Sequence, residues 1–232
     1  MLRAGRSFTI TPQLLIDMSN KRTIVVTGSN GRLGSLIAKG FLAAGEQVVG
    51  MDRSLPAHKD WSVIQMDATN EQSVLDAFSE LEAKFGPPAA VVHTVGMWAM
   101  SPLAETSLGD WEGLLKINLT SAFLVFRQAV RQMSASGGTL IGIASRQGVD
   151  RGAASQAGYS ASKGGLVRLI ESIAAELGET GITAHALAPS TIVYGEDGKG
   201  VRAEDLVDHC KYLVSDVGAS LNGGVLSAFG TG

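Results

Sequence analysis

Residues 27–34 read TGSNGRLG, and they follow the apolar run TIVVT at 23–27. A short buried run, a glycine turn and then a helical pattern form a strand–turn–helix unit whose backbone amides can face an anion. Gly28 permits the tight turn, Gly31 lets a diphosphate approach the backbone, and Gly34 lets helix and strand pack closely. The turn residues Asn30, Gly31, Arg32 and Leu33 are therefore expected to line a dinucleotide. Working outward, the second apolar run ends in VVGMDRS at 48–54, with Asp52 lying 24 positions after Gly28. A carboxylate there can accept hydrogen bonds from an adenosine ribose; the competing reading is a helix cap or a loop acid. Asp52 would repel a 2′-phosphate, which favours NAD over NADP, although Arg53 and Arg32 stand close enough in sequence to pair with such a phosphate. Asp67 ends the third run and can meet the adenine edge itself or through the Ala68 backbone. It can equally cap the helix that follows.

Beyond this unit, apolar runs and helical stretches alternate to the end of the chain. The runs are 23–27, 47–51, 62–66, 89–93, 139–144, 182–188 and 224–229, each short enough for a strand buried on both faces. Helical patterns fall at about 33–44, 71–84, 107–134, 157–178 and 203–214. The expected fold class is α/β: a single-domain, doubly wound parallel sheet of about seven strands with helices on both faces. Residues 21–232 form that domain. Residues 1–20 read as an N-terminal extension, either a tail or the product of an upstream start, with only Arg3 and Arg6 as basic groups.

Composition narrows the function. Hydrophobic residues make up 45% of the chain and charged residues 18%, which excludes a disordered chain. A formal net charge of −3 argues against a nucleic-acid partner. No apolar run approaches the roughly 20 residues of a membrane helix. Twenty-nine of 232 residues are glycine, against roughly 7% on average, so tight turns and close approaches are frequent. The single cysteine, Cys210, cannot form an internal disulfide, which suits a reducing compartment, and a cytoplasmic location is expected. The four histidines are scattered, so no metal site is expected. His93 and His185 fall in strands and read as satisfied core histidines.

A second constellation carries chemistry. YSASK at 159–163 sets Tyr159 and Lys163 one helical turn apart on one face. A free phenol has a pKa near 10, and a nearby ammonium favours the phenolate. Ser145 ends the fifth strand in GIASRQG, at the sheet edge where ligands bind. Asn118, in KINLTSAF, sits inside a helix among apolar residues and needs a specific partner. Trp98, Gln147 and Tyr194 fall on loops at the same edge and can line a substrate pocket or merely pack the loops.

In chain order, the glycine turn, Asn118, Ser145, YSASK and the tail YLVSDVGASLNGG at 212–224 resemble the short-chain dehydrogenase/reductase family over about 21–232. GSNGRLG, VGMWAM and APSTI are in part similar to its dihydropteridine-reductase-like branch. The resemblance implies a Rossmann-type domain, NAD or NADP as cofactor, and hydride transfer to or from a small carbonyl, alcohol or pteridine-like molecule. It implies a tetrad in which Tyr159 is the acid or base and Ser145 holds the substrate oxygen. Lys163 would lower the phenol pKa and bind the nicotinamide ribose, and Asn118 would hold a water in the proton relay. It adds Gly96, Pro189, Thr191 and Ile192 to the cofactor contacts, Ile192 through its backbone. It also implies a homodimer or homotetramer built from the long helices.

The chain departs from the commonest pattern of that family at HTVG (93–96), at the shifted Gly31, and at PSTI (189–192). The segment 190–203, where a substrate lid is expected, is short and glycine-rich. A non-catalytic dinucleotide-binding regulator on the same fold is the alternative, although it would have no need of Tyr159.

Overall fold

The computed structural model describes residues 21–195 and 197–230, so the proposed extension at 1–20 lies outside the described residues. Seven parallel strands form one sheet, in the spatial order 62–65, 47–52, 23–27, 90–93, 138–143, 182–189 and 225–228. They are β1 (Thr23–Thr27), β2 (Gln47–Asp52), β3 (Ser62–Gln65), β4 (Ala90–His93), β5 (Gly138–Ile143), β6 (Ile182–Pro189) and β9 (Val225–Ala228). Two short strands, β7 (Ile192–Val193) and β8 (Val201–Arg202), pair separately. Every residue of β1 and β4 is buried, as continuous apolar runs in a sheet covered on both faces must be.

The sheet has two cores. On one face, α2 (Glu71–Phe85), α4 (Ser121–Met133) and α6 (Ala157–Leu177) bury Phe78, Phe126, Leu140 and Leu166. On the other, α1 (Arg32–Ala43) and α7 (Ala203–Leu213) cover Ile24, Val92, Ile141 and Leu187. The chain runs outward from β1 to β3 and then returns to β4, so the winding reverses between β1 and β4. Ligands of such sheets bind in the crevice outside that reversal. The doubly wound seven-strand architecture expected from the sequence is the one observed.

The stretch 107–134 differs from the continuous helix expected. It divides into α3 (Leu108–Leu115), a π-helical turn (Lys116–Thr120) and α4. A π turn inserts one extra residue without disturbing the apolar stripe on either side, so periodicity does not reveal it. Asn118 is fully buried within this turn.

His93, at the end of β4, is buried and hydrogen bonded at both ring nitrogens. Nδ1 lies 2.9 Å from Thr27 Oγ1 and Nε2 lies 3.0 Å from Ser121 Oγ. Ser121 spends its one proton on the Ile117 carbonyl, at 2.5 Å, so it must accept from His93 Nε2–H. Nδ1 then accepts from Thr27. A neutral ring thus ties the end of β1 to the π turn. His185 differs from expectation: it is buried on β6 with neither ring nitrogen hydrogen bonded. Burial, the main influence, lowers its pKa.

Burial, and then the nearby Lys163 charge, push the His93 pKa down to about 3. The unfolded chain takes up a proton below about 6.5, whereas the folded ring resists until about 3. Its contribution to stability is therefore complete above that upper value and is lost as pH falls. Between roughly pH 7 and pH 5 the loss is about 2 kcal/mol. Urea unfolding at both pH values is expected to show the wild type losing about that much more than His93→Asn, which does not titrate. Equal losses would contradict a buried neutral ring.

Candidate active site

The glycine turn forms as expected. Gly28 adopts φ +69, in the left-handed region that glycine enters without cost. A Cβ on Gly34 would lie 2.2 Å from the Gly28 carbonyl oxygen, so helix and turn meet backbone to backbone. Helix α1 starts with no side-chain cap and no acid in its first turn. Its leading amides are left to an anion, and together with the dipole they fit the diphosphate of a dinucleotide.

Next to this turn lies a cavity of about 430 Å³ lined by Gly28, Asn30, Gly31, Asp52, Arg53, Asp67, Ala68 and Gly96, among others. One Asp52 carboxylate oxygen accepts the Asn30 amide at 3.0 Å, tying the end of β2 to the turn. Asp67 accepts from the Thr69 amide and hydroxyl at 2.9 and 2.8 Å, which, with the Thr69 amide the larger influence, lowers its pKa. It does not cap α2; Asn70 does, accepting from the Ser73 amide. Both acids and Arg53 thus border one compartment.

A second cavity, of about 600 Å³, extends from the same crevice and shares Thr94, Gly96 and Met97 with the first. Leu33, Trp98, Ser145, Gln147, Tyr159, Lys163, Pro189, Thr191 and Ile192, all named from sequence, line it. Gln156 also lines it and sequence reading missed it. The signal was available, since Gln156 precedes Tyr159 by three residues at the start of α6 and so shares its face.

Two residues named from sequence lie outside the walls of these cavities. Tyr194 does not line the cavity; its ring lies under the Arg32 guanidinium, 3.9 Å from carbon to ring centroid. Arg32 in turn lines neither cavity, because its charge is engaged over that ring.

Lys163 is only 5% exposed, and its ammonium donates to the Ile143 carbonyl at 2.7 Å. Burial lowers its pKa from 10.5 to about 8. A Cβ on Gly96 would come within 3.1 Å of Lys163 Nζ and 3.2 Å of Asn118 Oδ1, so a bare glycine leaves these groups their room. Asn118 accepts from the Met97 amide at 2.7 Å. It donates to the Met97 carbonyl and to Ser162 Oγ, both at 2.9 Å. It thereby clamps the loop after β4 onto α6. Ser145 Oγ donates to Gln147 Oε1 at 2.6 Å. Burial raises the Tyr159 pKa, and hydrogen bonding with Ser145 partly offsets this. Lys163, expected to lower the phenol, is not among the influences on it; desolvation is the largest. Cys210 is buried, with its thiol pushed up to about 12, and takes no part.

A nucleotide-sized crevice at the reversal of a doubly wound sheet, opening onto a Ser–Tyr–Lys wall, is the arrangement of a dinucleotide-dependent oxidoreductase. Comparison with known proteins gives the family: the model for short chain dehydrogenase matches residues 22–197, and the chain belongs to that family. It is 34% identical to the 3-oxoacyl-[acyl-carrier-protein] reductase MabA of Mycobacterium bovis, over 74% of this chain and 69% of that one. It is 26% identical to the D-threitol dehydrogenase of Mycolicibacterium smegmatis, over 87% and 89%. The fold is also that of the aldohexose dehydrogenase of Thermoplasma acidophilum, with a TM-score of 0.82 at 20% identity, over 89% and 92%. Members of this family work with NAD or NADP on small molecules. Among the described residues, no helix is long and apolar enough to cross a membrane, and no cluster of potential metal ligands occurs.

Gly34→Ala drives a methyl group into backbone that cannot yield. It is expected to cost about 3 kcal/mol of stability, at the upper end for overpacking. Gly31→Ala meets only the Gly28 oxygen, at 3.2 Å, and is expected to cost well under half of that. Equal thermal shifts for the two variants would contradict the turn geometry.

Proposed function

We propose that the protein is an NAD-preferring oxidoreductase that interconverts a carbonyl and an alcohol on a small molecule, with Tyr159 as general acid and base. The observation that carries this reading is the shared wall on which Ser145, Tyr159 and Lys163 border the cavity that continues into the nucleotide compartment. Bound dinucleotide would supply or accept a hydride. Gly28, Asn30, Gly31, Asp52, Asp67 and Ala68 would hold its adenosine and diphosphate part. Gly96, Pro189, Thr191 and Ile192 would border the nicotinamide.

Tyr159 Oη exchanges the proton with the substrate oxygen, and Ser145 Oγ, whose own proton is on Gln147 Oε1, borders that oxygen and can accept from an alcohol hydroxyl there. The phenol stays protonated at neutral pH, since burial raises its pKa, so it holds the proton that the reductive direction needs. Lys163 keeps a positive charge close to this wall until pH rises through about 8. Asn118 acts by position, because its amide is taken up by Met97 and Ser162.

Support for NAD comes from Asp52, whose carboxylate borders the adenosine compartment and would repel a 2′-phosphate. Arg32 is engaged over Tyr194, which leaves Arg53 to oppose it. Among substrates, the relatives' names suggest 3-oxoacyl thioesters and polyols, and the dihydropteridine-reductase-like features add a pteridine. Self-association is also proposed: Phe123 stays 43% exposed on α4, and gel filtration at micromolar concentration should give a dimer or tetramer.

Tyr159→Phe is expected to bind NADH nearly as the wild type does while losing at least about a hundredfold in turnover. Fluorescence titration should give tighter binding of NADH than of NADPH. The converse order would assign control to Arg53 instead of Asp52.

A further inference from the structure

The substrate end of the larger cavity carries two carboxamides that hydride transfer does not require. Trp98 Nε1 lies 3.3 Å from Gln156. An indole N–H only donates, so the oxygen of Gln156 faces Trp98 and its amide nitrogen faces away. Ser145 Oγ holds the oxygen of Gln147 in the same manner. Neither amide nitrogen has a protein partner among the described residues. Two N–H₂ groups, each belonging to an amide whose carbonyl is anchored, are thus left without a partner on residues that line the same cavity as Ser145 and Tyr159.

Charge narrows the ligand further. Among the described residues lining this cavity, Lys163 has the only charged side chain, and its ammonium is turned to the Ile143 carbonyl. A carboxylate or phosphate on the substrate would meet no free cation there. A simple alkyl or aryl ketone with no second acceptor would cover both amides without pairing them, and each unpaired donor weakens binding by about tenfold to a hundredfold. A neutral molecule with hydroxyls on the carbons flanking the reacting one satisfies both.

We infer that the substrate is a neutral polyol and its hydroxyketone product, with Gln147 and Gln156 reading hydroxyls adjacent to the reacting carbon. This rests on the oxidoreductase reading above. A secondary CH–OH becomes C=O by giving its hydride and both electrons to NAD⁺, and its hydroxyl proton to solvent by way of Tyr159 Oη. The remaining hydroxyls are unchanged.

The test is a wild-type panel followed by nicotinamide absorbance. With NAD⁺ it contains erythritol, xylitol, mannitol, mannonate, secondary butanol and cyclohexanol. With NADH it contains an acetoacetyl thioester and quinonoid dihydropterin. The expected result is a kcat/KM for at least one tetritol, pentitol or hexitol at least about a hundredfold above secondary butanol. Mannitol should exceed mannonate at least about tenfold. Gln147→Leu and Gln156→Leu should each narrow the preference for polyol over secondary butanol about tenfold, chiefly through KM. Preference for cyclohexanol, mannonate, the thioester or the pterin would overturn the polyol assignment while leaving the oxidoreductase reading standing. No turnover of any compound by an enzyme that binds NADH would overturn both. The wild-type panel decides the matter even if a variant fails to fold.

Discussion

A lysine ammonium withdrawn from water constrains this crevice more than any other group. Desolvation of an unpaired charge is expensive, and the usual relief is a change of protonation or a strong partner. Lys163 uses both: its pKa falls to about 8, and the carbonyl at the end of β5 accepts its proton. The environment also keeps space for it. Gly96 leaves its side free, and a Cβ on Gly148 would strike the Lys163 backbone at 2.6 Å, so the short helix α5 (Arg146–Val149) lies directly against α6. The backbone positions of Ser145 and Tyr159 follow from that contact. Packing around one buried cation thus holds the site together with the contact between Ser145 and Tyr159.

The π turn serves the same arrangement from the opposite wall. Its extra residue lets Asn118 point inward with full hydrogen bonding, where a regular helix would carry its side chain to a different azimuth. Asn118 joins the loop after β4 to α6, while His93 joins β1 to the residues just before and after Asn118. The departure of HTVG from the commoner family pattern is thereby accounted for. His93 spans from strand to helix with two ring nitrogens, and Thr94 donates to the Thr27 carbonyl at 2.7 Å. Together they hold the two strands on either side of the winding reversal in register at their carboxyl ends.

Much of this was legible in the amino-acid order because burial leaves a strong imprint. Strands covered on both faces must be apolar throughout, and the glycine turn has few ways to fold. Tyr159, Lys163 and Ser145 stood out as members of an ordered set that resembles the family, since a tyrosine and a lysine one helical turn apart carry little information alone. What escaped reading depends on geometry that periodicity does not encode. The π turn preserves the apolar stripe, so Lys116–Thr120 looked helical. Gln156 gained its role from the indole of Trp98, 58 residues away in the chain. The depression of Lys163 and the elevation of Tyr159 follow from how deeply each is buried, a depth no spacing specifies.

Tyr194 and Arg32 meet each other in the structure. Arg32 occupies the shifted part of the glycine turn, and Tyr194 the segment expected to cover the substrate. Each was assigned to a ligand; the structure stacks one on the other. The same segment is held by the Val201 amide donating to the Thr191 carbonyl at 2.9 Å, and by Ser190 Oγ donating to the Phe229 carbonyl at 2.7 Å. A side chain at Gly200 would lie 2.0 Å from that Thr191 oxygen, so the approach needs glycine there. Short length and glycine content, which in isolation suggest a loose cover, here permit close backbone contact. Arg32 consequently connects the start of α1 to the segment that follows Thr191 and Ile192.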